Sequence, residues 1–429
     1  MNSHETNSTV QGPEISHHEA VKTAHSVRKW VIVLAVSVVA SWVVIGVVFF
    51  MHRDTVAANG IHERTATTKP TSGQGRWGKL EYTPIVISAP SEYVSDFAFD
   101  YSGPTVWRVP GVGSRGLSEL IESCGFDSEL SVELERMAQI DLSIQGISMY
   151  PSREFVLNLK PADRAKLYMA LSSYPANTDI RRQFVFCGQS PGEWFSGAEV
   201  SPETRKLVEP LIYRHGNFMY FADIRAIYSE ISSPGQQVEL LKALRSESTF
   251  LAMLEVSDKS NIEELVNYWG RGGRVQDVRP ILESLIRRPG TNKINITHLL
   301  PALARRKLYT YPARSEADLN VMRDCHWTSL NFFNETPDEK FTDGDVCIAA
   351  IKERYYRIHN HLQLGDIAIV FDQRGMAIHS ATYIADGVFF HRCGSNSSAP
   401  WSLIKAENLM GVYLRGRGVR LMYYRRKNM

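Results

Sequence analysis

Residues Trp30 to Phe50 read WVIVLAVSVVASWVVIGVVFF, 21 consecutive positions without a charge. At ~1.5 Å per residue such a helix spans about 30 Å, the thickness of a bilayer's hydrocarbon core. Fourteen of the 21 are Val, Ile, Leu or Phe. At roughly −0.3 to −0.6 kcal/mol each, they favour insertion by about 4 to 8 kcal/mol. Trp30 and the Phe49-Phe50 pair stand where interfacial aromatics belong. A buried core helix would carry a polar stripe, and a cleaved signal peptide a shorter apolar stretch. The run therefore predicts a single transmembrane helix over 30–50, with membrane lipid as its partner. Arg28-Lys29 before it, against Arg53-Asp54 after it, places the N-terminus inside and the bulk of the chain on the extracytoplasmic side.

The rest divides by composition. Residues 1–29, rich in Ser, Thr, Asn, Glu and His, read as a disordered cytoplasmic tail, and 51–80 as a polar linker. From 81 to 305, after short β-like runs such as Pro84–Ser88, helical patterns dominate, and the region reads as a mainly helical domain of unknown role and unknown protein partner. One such pattern opens at Ser201-Pro202, an N-cap followed by proline, and closes at Gly216, with Leu207, Val208, Leu211 and Ile212 on one face. Others cover 161–173, 237–254, 261–269 and 275–288.

From about residue 312 the period changes. Ile367–Phe371 is an apolar strand after Leu364-Gly365-Asp366, Asp372–Gly375 is a turn, and Met376–Ile384 and Val388–Arg392 are further strands. Residues 306–429 thus form a domain with an antiparallel β-meander, and the whole chain reads as α+β. Cys325 to Phe333 has Trp327, Leu330 and Phe333 at near-helical spacing, a helix opening at the cysteine.

Charge excludes some partners. Lys and Arg number 48 against 46 Asp and Glu, a net +2, so no bulk field nominates nucleic acid. Five cysteines without a CxxC pair argue against a disulfide framework or a thiolate zinc site. His359 and His361 form an HxH pair with no third ligand in view and read as a solvated turn. Tyr268-Trp269-Gly270 and the glycines after it lack the Gly-Lys-Ser/Thr ending of a phosphate loop. No metal or organic cofactor is implied.

Cys325, His379 and His391 carry the candidate chemistry. A cysteine nucleophile acts as thiolate, which a helix start and a neighbouring imidazolium both stabilise. His379 would be the general base, and His391 would hold its ring. The hairpin between them leaves two registers open. A two-residue Asp386-Gly387 loop puts Thr382 opposite His391 and the histidines on opposite faces. A three-residue Ala385-Asp386-Gly387 loop puts Ala381 there and both histidines on one face. His326 and Cys393 stand beside these residues and are given no role.

Asp-Cys, then Leu-x-x-Gly-Asp and an apolar strand, then His-Ser-Ala-x-Tyr-Ile, Asp-Gly and a His twelve residues after the first is an order similar to that of the NlpC-type cell-wall peptidases, a papain-like group. The resemblance covers about residues 305–405. It implies a papain-like C-terminal domain with Cys325 as nucleophile, His379 as general base and His391 as orienting residue, acting on an amide bond in cell-wall peptide through an acyl-enzyme. It also implies an upstream tyrosine at the oxyanion, here Tyr309 or Tyr311. The family's Ser-Gly after the cysteine is replaced by His326-Trp327. The alternative expectation is a membrane-anchored scaffold or binding protein whose papain-like domain is degenerate and non-catalytic.

Overall fold

The first sheet opens with β1 (Gln74–Gly75) and β2 (Gly78–Ile87). The computed structural model describes residues 74–95, 101, 103–231, 233–313, 323–393, 399–413 and 418–429. All of these except Arg374–Met376 belong to one compact unit. β1 pairs with only Gly78 and Lys79 of β2, so among the described residues the rest of β2 has one free edge. Pro84, which has no N–H to give, therefore sits in β2 without breaking a ladder.

β3 (Trp107–Val109), β4 (Ala138–Asp141) and β5 (Gly146–Met149) make a three-stranded sheet in the order β3-β5-β4. β6 (Phe184–Cys187), β7 (Tyr213–His215) and β8 (Phe218–Phe221) make another, ordered β6-β8-β7. Both sheets pack into one hydrophobic core with the helices Ser114–Cys124, Pro161–Ser172 and Pro234–Leu244. β9 (Glu247–Val256) runs along β2 from Lys79↔Glu255 to Ile87↔Glu247, and β10 (Asn292–Asn295) closes the first sheet as β1-β2-β9-β10.

The C-terminal part holds β11 (Tyr355–Ile358), β12 (Ile367–Phe371), β13 (Ala377–Ala385), β14 (Val388–Arg392), β15 (Trp401–Lys405) and β16 (Arg420–Arg426). They form one six-stranded antiparallel sheet, ordered β11-β16-β12-β13-β14-β15. On one face, Ile369, Ile384, Phe390 and Leu403 share a core with Trp327 and Leu330, and with Trp269, Leu282 and Leu303 of the preceding helices. On the other, Ala368, Ala381, Tyr383 and Phe389 pack with Leu409 of the helix Ala406–Tyr413.

The chain is thus mixed α/β, with sixteen α-helices and four antiparallel sheets among the described residues, which corrects the expected α+β class with a mainly helical centre. Residues 81–305 are not mainly helical: they carry β3 to β10 and most of β2. Gly146–Met149 and Phe218–Phe221 are buried at every position, so they show no alternation, and three- or four-residue strands are too short to display a period. The helix expected over 237–254 ends at Leu244, and β9 begins at Glu247. The transmembrane helix expected over 30–50 lies outside the described residues, and among those described no helix is long and apolar enough to cross a membrane.

The Leu364-Gly365-Asp366 segment shows why those residue types precede β12. Gly365 has φ +90°, and the Phe333 ring lies where a side chain would project. Asp366 is buried and accepts from Arg425 of β16 at 2.9 and 2.8 Å and from the Gln363 amide at 2.6 Å. The segment thereby ties the entry of β12 to the neighbouring strand.

Candidate active site

Cys325 opens the helix Cys325–Leu330, as its sequence context predicts. Asp324 is the cap: its Oδ1 accepts from the amides of His326 at 2.8 Å and Trp327 at 2.9 Å. Two strands hold this short helix. Ser380 of β13 donates to the Cys325 carbonyl at 2.9 Å and lies 3.1 Å from Ser329 Oγ, and the Trp401 indole of β15 donates to Thr328 Oγ1 at 3.0 Å.

The two histidines meet through an unexpected hairpin. Asp386 and Gly387 have φ of 49° and 68°, the pair of left-handed residues of a two-residue type I′ turn, and Ala385 pairs with Val388. That loop alone would throw the histidines onto opposite faces. A bulge between Tyr383 and Ala385 shifts the ladder by one, giving Tyr383↔Phe389 and Thr382↔Phe390. Continued, this register sets Ala381 opposite His391 and puts His379 on the same face. The rings stand 5.4 Å apart, nearly perpendicular at 86°.

Pairing between β13 and β14 stops at Thr382↔Phe390. Beyond it, Ser380, the residue after His379, donates its hydroxyl to the Cys325 carbonyl. The Tyr413 ring lies flat on His379 at 4.1 Å and 9°. Ser380 makes its bond on the face where the helix Cys325–Leu330 packs, while His379 stacks on Tyr413 on the other face. The cysteine helix and the imidazoles thus approach from the two sides of the sheet where β13 and β14 part.

They are enclosed there: Cys325 is 3% exposed, His379 0% and His391 2%. Burial, with the Asp324 carboxylate nearby, pushes the Cys325 thiol up to about 12, partly offset by the Ser380 amide. Burial, then the charges of His391 and His326, hold His379 well below the ordinary imidazole range. Burial alone brings His391 down to about 4. Near neutral pH the enclosed site holds a neutral thiol and neutral rings.

Among the described residues no hydrogen bond orients His379. Both of its nitrogens lack a partner among the described residues, as does His391 Nδ1, while His391 Nε2 lies 3.3 Å from Ser402 Oγ. The ring is placed by packing, with Tyr413 on its face and His391 at its edge. Neither upstream tyrosine is available at the sulfur: Tyr309 donates to the Phe250 carbonyl at 2.7 Å and Tyr311 to that of Ile87 at 3.2 Å. Asp324, Cys325 and His326 each offer a ligand-type atom within 4.8 Å of the others, but Asp324 is engaged in capping. His359 and His361 are exposed between β11 and β12.

Sequence reasoning did not find Ser380 or Tyr413. The i,i+4 spacing of Leu409 and Tyr413 marks an apolar helix face, but nothing local shows that this face lies on His379.

The neutral His391 has a measurable consequence. Its folded-state pKa lies below the unfolded value, so above about pH 6.5 both states are neutral and the group has no effect. As pH falls from 6.5 to about 4, only the unfolded chain takes up the proton, and stability is lost. The loss reaches about 3 kcal/mol. Half-buried Glu247 and buried Asp223, raised by burial to about 7 and about 6, act in the opposite direction, so the comparison must be with a variant. Urea unfolding of wild type and His391→Gln, near pH 7.5 and again near pH 4, should show wild type losing about 3 kcal/mol relative to the variant. Parallel pH profiles would mean that the ring titrates normally in the folded state.

Comparison with models of known protein families, with curated proteins and with solved structures finds no match for this chain.

Proposed function

We propose that the residues where β13 and β14 part form the centre of a thiol hydrolase of the NlpC type, acting on an amide bond, with cell-wall peptide as the substrate class. The supporting observation is the hairpin bulge, which turns His379 and His391 to one face in the strand whose Ser380 holds the Cys325 carbonyl. A fold with no use for this cluster gains nothing from burying two imidazoles with three nitrogens that lack a partner among the described residues, which costs desolvation without compensation.

In the proposed reaction the Cys325 thiol transfers its proton to His379 as the sulfur attacks the carbonyl carbon. The Cys325 backbone N–H at the helix start steadies the oxyanion. The C–N bond then breaks, His379 returns the proton to the departing amine, and a thioester remains on the sulfur. Water, deprotonated by His379, attacks the thioester and releases the acid and the thiol.

Burial of all three side chains favours a second reading, a non-catalytic binding protein in which the cluster is packing. Cys347 separates the two. It is also buried, with its thiol likewise pushed up to about 12, but it donates to the Phe341 carbonyl and stands apart from the histidine pair. A peptidyl acyloxymethyl ketone, with mass-spectrometric assignment of the modified cysteine, should capture Cys325 far faster than Cys347. Cys325→Ala should abolish that capture. Equal rates at the two sulfurs would select the binding-protein reading.

A further inference from the structure

We propose that Tyr413 is the removable cover of this site: its ring closes His379 from solvent, and the site opens when that side chain swings away. The inference rests on the hydrolase reading for its purpose, but its geometry is independent. His379 is fully buried, whereas Tyr413, stacked on it at 4.1 Å, is itself only half-buried and so lies between the imidazole and solvent.

Tyr413 ends the helix Ala406–Tyr413, which is docked one turn earlier by the fully buried Leu409 against Ala381, Tyr383 and Phe389. The helix can therefore stay in place while its last side chain changes rotamer. The phenol is held on the far side by Cys393, whose sulfur lies 3.3 Å from Tyr413 Oη and which is exposed. A sulfur–hydroxyl contact is weak, and a stacked ring pair is worth roughly a factor of ten or less in population. A bound substrate can supply that much.

Opening also changes the chemistry beneath. His379 and Cys325 are held neutral chiefly by burial. Water admitted over the imidazole relieves that penalty on both charged forms, so uncovering favours the thiolate–imidazolium pair that attack requires. The closed state thus protects the sulfur from adventitious electrophiles.

The test is the iodoacetamide alkylation rate of Cys325 in the full-length protein, resolved from the other cysteines by mass spectrometry. Tyr413→Ala should accelerate it by about tenfold or more, with Cys347 as protected as in wild type. Tyr413→Phe, which keeps the stack and loses the bond to Cys393, should fall between. An unchanged rate at Cys325 in Tyr413→Ala, with Cys347 still protected, overturns the proposal. Should Cys347 become reactive in that variant, Cys393→Ser and Tyr413→Phe decide: acceleration at Cys325 alone supports the cover, and none overturns it. Adding His379→Ala to Tyr413→Ala separates this inference from the hydrolase reading. An uncovered sulfur that reacts equally fast without the imidazole keeps the cover and removes the hydrolase.

Discussion

His379→Ala is expected to slow capture of Cys325 by the peptidyl ketone by about 10²–10⁴-fold, the usual worth of a positioned general base. The large value follows from the thiol itself. With its pKa pushed up to about 12, Cys325 is almost wholly protonated at neutral pH and cannot attack unless the proton is taken as the bond forms. His379 is the proposed acceptor, next in β13 to Ser380, whose hydroxyl holds the Cys325 carbonyl at 2.9 Å. The substitution strands no hydrogen-bond partner among the described residues, but it empties a fully buried position against Tyr413, so a stability loss of about 2–5 kcal/mol is expected beside the rate effect. Capture rates and thermal melts of the two proteins check both halves. Equal capture rates, each measured where the protein is folded, would show that the imidazole plays no part.

Asp366→Ala is expected to destabilise the protein by about 3–5 kcal/mol, the range for breaking a buried ion pair from one side. Asp366 is 1% exposed and receives both the Nε and an Nη of Arg425, as well as the Gln363 amide. Alanine would leave a guanidinium partly buried against β12 without its counter-charge. The double variant Asp366→Ala/Arg425→Met removes both charges and should recover much of the loss, since a matched pair is costly to desolvate but costlier to orphan. Urea unfolding of the single and double variants measures this. A single-variant loss under about 1 kcal/mol would mean that the pair is solvated in the manner of a surface bridge.

Where the controlling interactions were local, the elements could be read from the residues. The Asp324 cap and helix opening at Cys325 depend on atoms within three residues, β12 follows from an unbroken apolar run, and β14 from Val388-Phe389-Phe390 directly after the Asp386-Gly387 turn. The mainly helical reading of 81–305 failed for a physical reason. Seven of its strands are only three or four residues long, two of these are buried at every position, and the ten-residue β2 finds its partner β9 160 residues or more along the chain. The candidate site shows the same division. Its three residues stand in the sequence in recognisable contexts, yet the register that joins the histidines hung on a choice between two loops. The structure uses neither in pure form: the shorter loop is taken, and a bulge restores the register of the longer one.

By itself the sequence determined where the chain turns, where a helix opens on Cys325 and which side chains could do chemistry, because each of these is settled by covalent neighbours and backbone preference. Tertiary structure alone decided that the imidazoles share a face, that Tyr413 lies over one of them, and that thiol and rings rest uncharged. Those outcomes depend on burial and on contacts between segments distant in the chain, and no local pattern encodes how much water a packed side chain will lose.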